Sequence, residues 1–172
     1  MKKFVLILML AIGASLGVNA QTKNISVSYG GYTQMDACDM HDGWHGVDNA
    51  WGALTFAANF KVARDLWLGP SYTFSSTSVK GHKSAKIYYH VIMMNLRYDY
   101  YKNSICTVYA HGGIGADISH LTYPDDAYNK GYFAFQASPL CAEVQLSRSF
   151  TMFGEAGFGA QGLLQAGFRI NL

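Results

Sequence analysis

Charge is scarce in this chain: Asp, Glu, Lys and Arg make up 14% of its 172 residues, where ordinary domains carry about 25%. Only two glutamates occur, Glu143 and Glu155. Hydrophobic content is nonetheless 50% and aromatic content 15%. Long apolar runs are missing as well. Nothing after residue 20 approaches the ~20 residues that a membrane-spanning helix needs. Cysteine is limited to Cys38, Cys106 and Cys141, an odd number and a poor basis for a disulfide framework. Internal repeats and linkers are absent, so one domain is expected.

The chain opens on Lys2-Lys3, an apolar stretch over 4–17 and the small-residue site Val18-Asn19-Ala20. That order of a basic, an apolar and a small-residue region is a secretory signal. Residues 1–20 are therefore expected to be a cleaved signal peptide, and 21–172 the mature domain. Without Lys2 and Lys3 the formal charge is (13 − 2) − 11 = 0. A neutral chain argues against nucleic acid as a partner.

Alternation is what the mature chain has in abundance. Leu164, Ala166, Phe168, Ile170 and Leu172 fall on one face of a segment, with Gln165, Gly167, Arg169 and Asn171 opposite. Met152, Gly154, Ala156 and Phe158 oppose Thr151, Glu155 and Gly157. Period two is a strand signature, because successive side chains leave a pleated strand on opposite sides. Six further segments alternate, starting near Ile25, Leu54, Leu68, Ile92, Val108 and Phe133. In the sixth, unbroken alternation would put Glu143 on the apolar face, so a bulge is expected near Pro139. Leu140, Ala142, Val144 and Leu146 then face outward. The tally is eight strands. Connections at 63–65, 102–104 and 147–149 are short, whereas those at 34–49, 76–86 and 121–131 read as long polar loops. Short turns facing long loops, on strands apolar on one face, predict an all-β, eight-stranded antiparallel up-and-down transmembrane β-barrel with both termini in the periplasm. Aromatics at two levels fit its interfaces: Trp67, Tyr98, Tyr100, Tyr101 and Phe150 near the short turns, and Trp51, Phe74, Tyr88, Tyr132 and Phe133 near the long loops.

The segments Gly154 to Gly159, Gln165 to Leu172 and Gln136-Ala137-Ser138-Pro139-Leu140 resemble the last hairpin and the sixth strand of the small eight-stranded outer-membrane barrels of the OmpX and OmpA-barrel type. The resemblance covers the whole mature chain and implies a bacterial outer-membrane location. Membrane lipid and lipopolysaccharide become expected partners, as does the outer-membrane assembly machinery, reached through the C-terminal strand. It implies a monomer, with no OmpA-like periplasmic domain following. The family commonly ends on Phe, and this chain ends on Leu172.

Candidate chemistry is sparse. Lys61, Arg97 and Arg169 balance Asp99, Glu143 and Glu155 on the polar face, and Asn59, Asn95, His111, Gln145 and Gln165 join them. Eight strands leave an interior only wide enough for side chains. A paired lumen charge network is therefore expected, with no continuous water path. In the first long loop Asp39, His41, Asp42 and His45 surround Trp44, and Lys80 and Lys83 lie in the second. These are surface-loop candidates for partner contact. Their spacing matches neither zinc nor Ca²⁺ patterns, so no metal and no cofactor is expected. Asp117, Ser119 and His120 are the nearest approach to a catalytic set, but neighbours on a strand point to opposite faces. The expected function is a non-enzymatic barrel that supports the envelope and presents loops. A lipid A or phospholipid modifying enzyme and a soluble lipocalin-like binder are the alternatives.

Overall fold

Side-chain alternation sets the sheet, and the sheet closes on itself. The computed structural model describes residues 23–38, 47–48, 51–80, 82–122 and 127–172, without the side chains of 82–84 and 128. Eight strands follow in order: β1 (Lys23–Gly31), β2 (Ala53–Ala63), β3 (Leu66–Val79), β4 (His82–Lys102), β5 (Cys106–Thr122), β6 (Ala127–Gln145), β7 (Phe150–Gly159) and β8 (Leu164–Asn171). Each pairs antiparallel with its sequence neighbour, and β1 pairs with β8 to close the barrel. Ile25 lies opposite Ile170 and Val27 opposite Phe168 across that seam. Closure removes the free edge wherever all eight strands overlap, which a lone hairpin could not achieve.

Parity divides the residues as the alternation predicts. Phe56, Leu68, Leu96, Ile114 and Phe168 point outward and are exposed, while Thr55, Asn59, Ser71, Asn95 and Gln165 point inward and are buried. The bulge in β6 is present: pairing with β7 shifts between Ala137 and Leu140, and pairing with β5 shifts opposite it. Pro139 and Leu140 are both exposed there, and Cys141 and Glu143 regain the inward face. Proline suits that position because the bulge removes the need for its missing N–H.

Two expected long loops are mostly strand. β3 and β4 remain paired from Ser76↔Tyr88 to Val79↔His82, and β5 and β6 up to Thr122↔Ala127. Alternation continues through this polar sequence, with Val79, Ala85, Ile87, Tyr89 and Leu121 all buried. Inward burial of these side chains holds the hairpins together beyond the ends of β7 and β8. The lumen is consequently polar at the end carrying the termini, whereas at the other an apolar cluster packs beside buried Thr73, Ser75, Asp117 and Ser119. Ile87, Tyr89, Val91, Met93 and Leu121 form the apolar part, with Ala160 and Met35 packed on it.

Met35 arrives on a five-residue helix, α1 (Gln34–Cys38), inside the first long connection. Thr33 and Asp36 cap it reciprocally: the Thr33 N–H donates to Asp36 Oδ2 at 2.7 Å, and the Asp36 N–H to Thr33 Oγ1 at 3.4 Å. This is a capping box made with Asp. The Gln34 amide then pairs with strand backbone, donating to Phe133 O at 3.0 Å and accepting from Phe135 N–H at 3.3 Å. It satisfies part of β6 where β7 has already ended.

Candidate functional site

Arg97 is the centre of the polar half of the lumen. Inward parity on β4 delivers Met93, Asn95, Arg97 and Asp99 to the interior. The Arg97 Nε donates to Asp99 Oδ1 at 2.5 Å, while its two terminal nitrogens donate to Glu143 at 2.8 and 2.7 Å. Glu143 stands on β6 and also accepts from Arg169 of β8. One carboxylate thus bridges two guanidinium groups from opposite walls. Both arginines are about 95% buried, where an unpaired charge would be costly. Aromatic faces complete the layer: the Arg97 guanidinium lies 3.9 Å from the Tyr109 ring centroid, and that of Arg169 lies 4.6 Å from that of Phe153.

Glu155 belongs to a neighbouring cluster. It accepts from Tyr109 OH at 2.8 Å and Gln165 Nε2 at 3.2 Å, and it lies 2.7 Å from His111 Nδ1. The other ring nitrogen of His111 is 3.1 Å from Asn95 Oδ1, and Ser28 Oγ donates to Gln165 at 2.6 Å. Above it the β7–β8 turn folds inward. Gln161 is buried, its N–H donating to Gln136 Oε1 at 2.9 Å and its amide to Ser71 Oγ at 3.1 Å.

Of the charges predicted to share the lumen, the structure brings Arg97, Asp99, Glu143 and Arg169 into one network. Glu155 pairs with His111 and Tyr109 instead, because β7 places it one layer away from Glu143. Lys61 lies at the mouth, its ammonium 5.7 Å from the Trp67 ring centroid. Trp67 is a correction. Expected among the outward aromatics, it is 6% exposed and donates through Nε1 to Asp99 Oδ2 at 3.0 Å. Strand parity with Gly69, Ser71 and Thr73 overrides any interfacial preference. Tyr132 shares the parity of Ala134 and Gln136 and lines a small cavity with Met35 and Asp117, but it stays exposed. The outward ring at the long-hairpin end is made by Tyr29, Trp51, Phe74 and Tyr88, each within 6.5 Å of the next, centroid to centroid.

Among the loop candidates, Asp39, His41, Asp42, Trp44 and His45 lie outside the described residues, as does the Lys83 side chain. Lys80 is exposed at the turn after β3. Ser119 is buried, with its hydroxyl directed at Lys130 O at 3.4 Å. His120 faces out, 2.6 Å from Asn129 Oδ1. Serine and histidine therefore stand on opposite faces of β5. Cys141 is buried, Cys38 exposed, and Cys106 half-buried. Among the described residues, no group of three or more His, Cys, Asp or Glu is placed to hold a metal ion.

Two cavities share Arg97 and Arg169 as a common wall. The larger, about 170 Å³, opens at the end carrying the termini. The smaller, about 30 Å³, lies between that layer and Gln161. Sequence reading had no signal for Gln161, which sits in a turn of only four residues. Thr33-x-x-Asp36 is a readable helix start that could have revealed α1.

A closed eight-stranded up-and-down barrel, apolar outside and polar within, is the fold of the small outer-membrane barrel proteins. Solved structures agree. The chain superposes on the N-terminal β-barrel domain of OprF from Pseudomonas aeruginosa with a TM-score of 0.55 and 8% identity, covering 88% of this chain and 97% of that one. It superposes on Ail, the attachment invasion locus protein of Yersinia pestis, with a TM-score of 0.50 and 9% identity, covering 87% and 94%. No protein-family model matches the chain, and no curated protein matches it in sequence.

Proposed function

We propose that this chain is a non-enzymatic integral protein of a bacterial outer membrane, closed along its axis by its own side chains. It supports the envelope and presents its long hairpins to partners outside the cell. The observation that carries this reading is the inverted polarity of the barrel. Ile92, Met94, Leu96, Ile114 and Phe168 form an exposed outer belt, while Arg97, Glu143, Glu155 and Arg169 are enclosed. Only a solvent that is itself apolar rewards that arrangement. On this reading residues 1–20 are removed as a signal peptide, and the short turns and both termini face the periplasm. Membrane lipid and lipopolysaccharide surround a monomer that the outer-membrane assembly machinery inserts through β8.

Extraction should require detergent, and the unheated protein should migrate differently from the boiled protein on electrophoresis. Recovery as a soluble monomer without detergent would overturn the proposal. The Arg97–Glu143–Arg169 layer and the inward turn at Gln161 support a closed lumen, because eight strands leave little space between such side chains. Planar-bilayer recording should accordingly show no steady single-channel conductance, and a stable unitary current would remove that part of the reading.

A further inference from the structure

We propose that the cavity at the end carrying the termini binds a small doubly charged oxyanion of the phosphate class. Its floor is the Arg97–Glu143–Arg169 layer, and Lys61 and Lys102 stand on its walls. Four cations and two carboxylates line it, since Lys61, Arg97, Lys102 and Arg169 face only Asp99 and Glu143, a net charge of 4 − 2 = +2.

Both carboxylates are already engaged. Asp99 takes Arg97 and the Trp67 N–H, and Glu143 takes Arg97 and Arg169. The two lysines therefore carry the excess, and neither has an ion-pair partner among the described residues. The Arg169 Nε is buried with no hydrogen-bond partner among the described residues, an N–H to spare in the same layer. The Trp67 ring beneath Lys61 favours keeping the ammonium over the cavity. Like charges facing a recess with low-dielectric walls focus a positive potential there.

A volume of about 170 Å³ has room for several waters or for one tetrahedral oxyanion with part of its hydration. At the rim the Gln145 amide adds donors, and the Asn171 amide has one N–H beyond its bond to Thr151 Oγ1. A dianion would match the net +2. A monovalent halide would match half of it and would leave the spread donors unused. The site does not depend on the envelope role proposed above, because its charges and its opening belong to the barrel itself.

The test is calorimetric titration of the full chain folded in a maltoside detergent, which carries no phosphate. One arm adds inorganic phosphate, and a second adds dihexanoyl phosphatidic acid, with sodium chloride of equal ionic strength as the reference. Saturable binding in the first arm identifies a free anion as the occupant, and tighter binding in the second identifies a lipid headgroup. Lys61→Gln and Lys102→Gln should each weaken binding by about tenfold, the loss of one charge-assisted contact, whereas Lys61→Arg should retain it. Neither lysine belongs to the buried network, and heat-dependent mobility verifies that each variant is folded. Heats equal to those of sodium chloride in both arms would overturn the proposal, as would binding unchanged in both lysine-to-glutamine variants.

Discussion

Arg97 shows why inward charge in this barrel is a matter of pairing. Three of its five N–H donors meet Asp99 and Glu143 in a fork geometry that a lysine would not reproduce. Arg97→Ala leaves Asp99 with Trp67 and Glu143 with Arg169 alone, and should cost about 3–5 kcal/mol, less where lumen water screens the carboxylates. The midpoint of urea unfolding from lipid vesicles measures it. A loss below about 1 kcal/mol, the value of an exposed pair, would mean the layer is hydrated throughout. The cysteines give a second check on individual side chains. Cys38 is exposed and Cys141 is buried inside the barrel, so a maleimide should modify Cys38 in the folded protein, and Cys141 only after unfolding. Rapid labelling of Cys141 in the folded state would contradict the register of β6 beyond its bulge.

The β3–β4 and β5–β6 hairpins rise past the ends of β7 and β8, and they stay paired because one face of each is buried. Ile87 is fully enclosed among Tyr89, Val79 and Leu121. Ile87→Ala should cost about 2–5 kcal/mol through the cavity it leaves. A comparable truncation at exposed Ile105, in a turn at the opposite end, should cost far less. Unfolding midpoints of the two variants provide the comparison. The β7–β8 turn is a different kind of element, held by backbone conformation. Gly162 has φ +112°, and a Cβ there would come within 2.9 Å of the Gly31 backbone. Gly162→Ala should therefore cost about 1–3 kcal/mol and loosen Gln161 from Ser71 and Gln136. Faster hydrogen exchange at the Gln161 amide would report that loosening.

For the barrel as a whole, the question is which solvent surrounds it. Leu96 lies outward on β4, half-exposed and two residues from Met94, the midpoint between the outward aromatics Tyr88 and Tyr100. In a lipid bilayer Leu96→Arg should cost about 2–4 kcal/mol, as for a cation near the midplane on the outer face of a barrel. In a water-soluble barrel the same change would be close to neutral. Refolding yield and unfolding midpoint in phosphatidylcholine vesicles distinguish the two outcomes, and a neutral result would count against a membrane-spanning barrel.

Strand number, inward and outward faces, the short turns and the β6 bulge were all legible in the sequence, since each follows from a period of two and the cost of an outward Glu143. Arg97, Glu143 and Arg169 were legible as inward charges for the same reason. That they balance one another was expected; which group bonds to which was not. Alternation states which face a residue occupies, whereas the pairing of Glu143 with two arginines, and of Glu155 with His111, depends on how eight tilted strands are staggered when β1 meets β8. Polar composition hid the outer hairpins, because Ser, Thr and Lys on one face concealed the buried Val79, Ile87 and Leu121 on the other. Trp67 and Gln161 were missed for different reasons: one follows the parity of its strand against an interfacial preference, and the other is carried inward by a four-residue turn. Local periodicity determines the wall of this barrel, and the geometry of closing it determines what fills the inside.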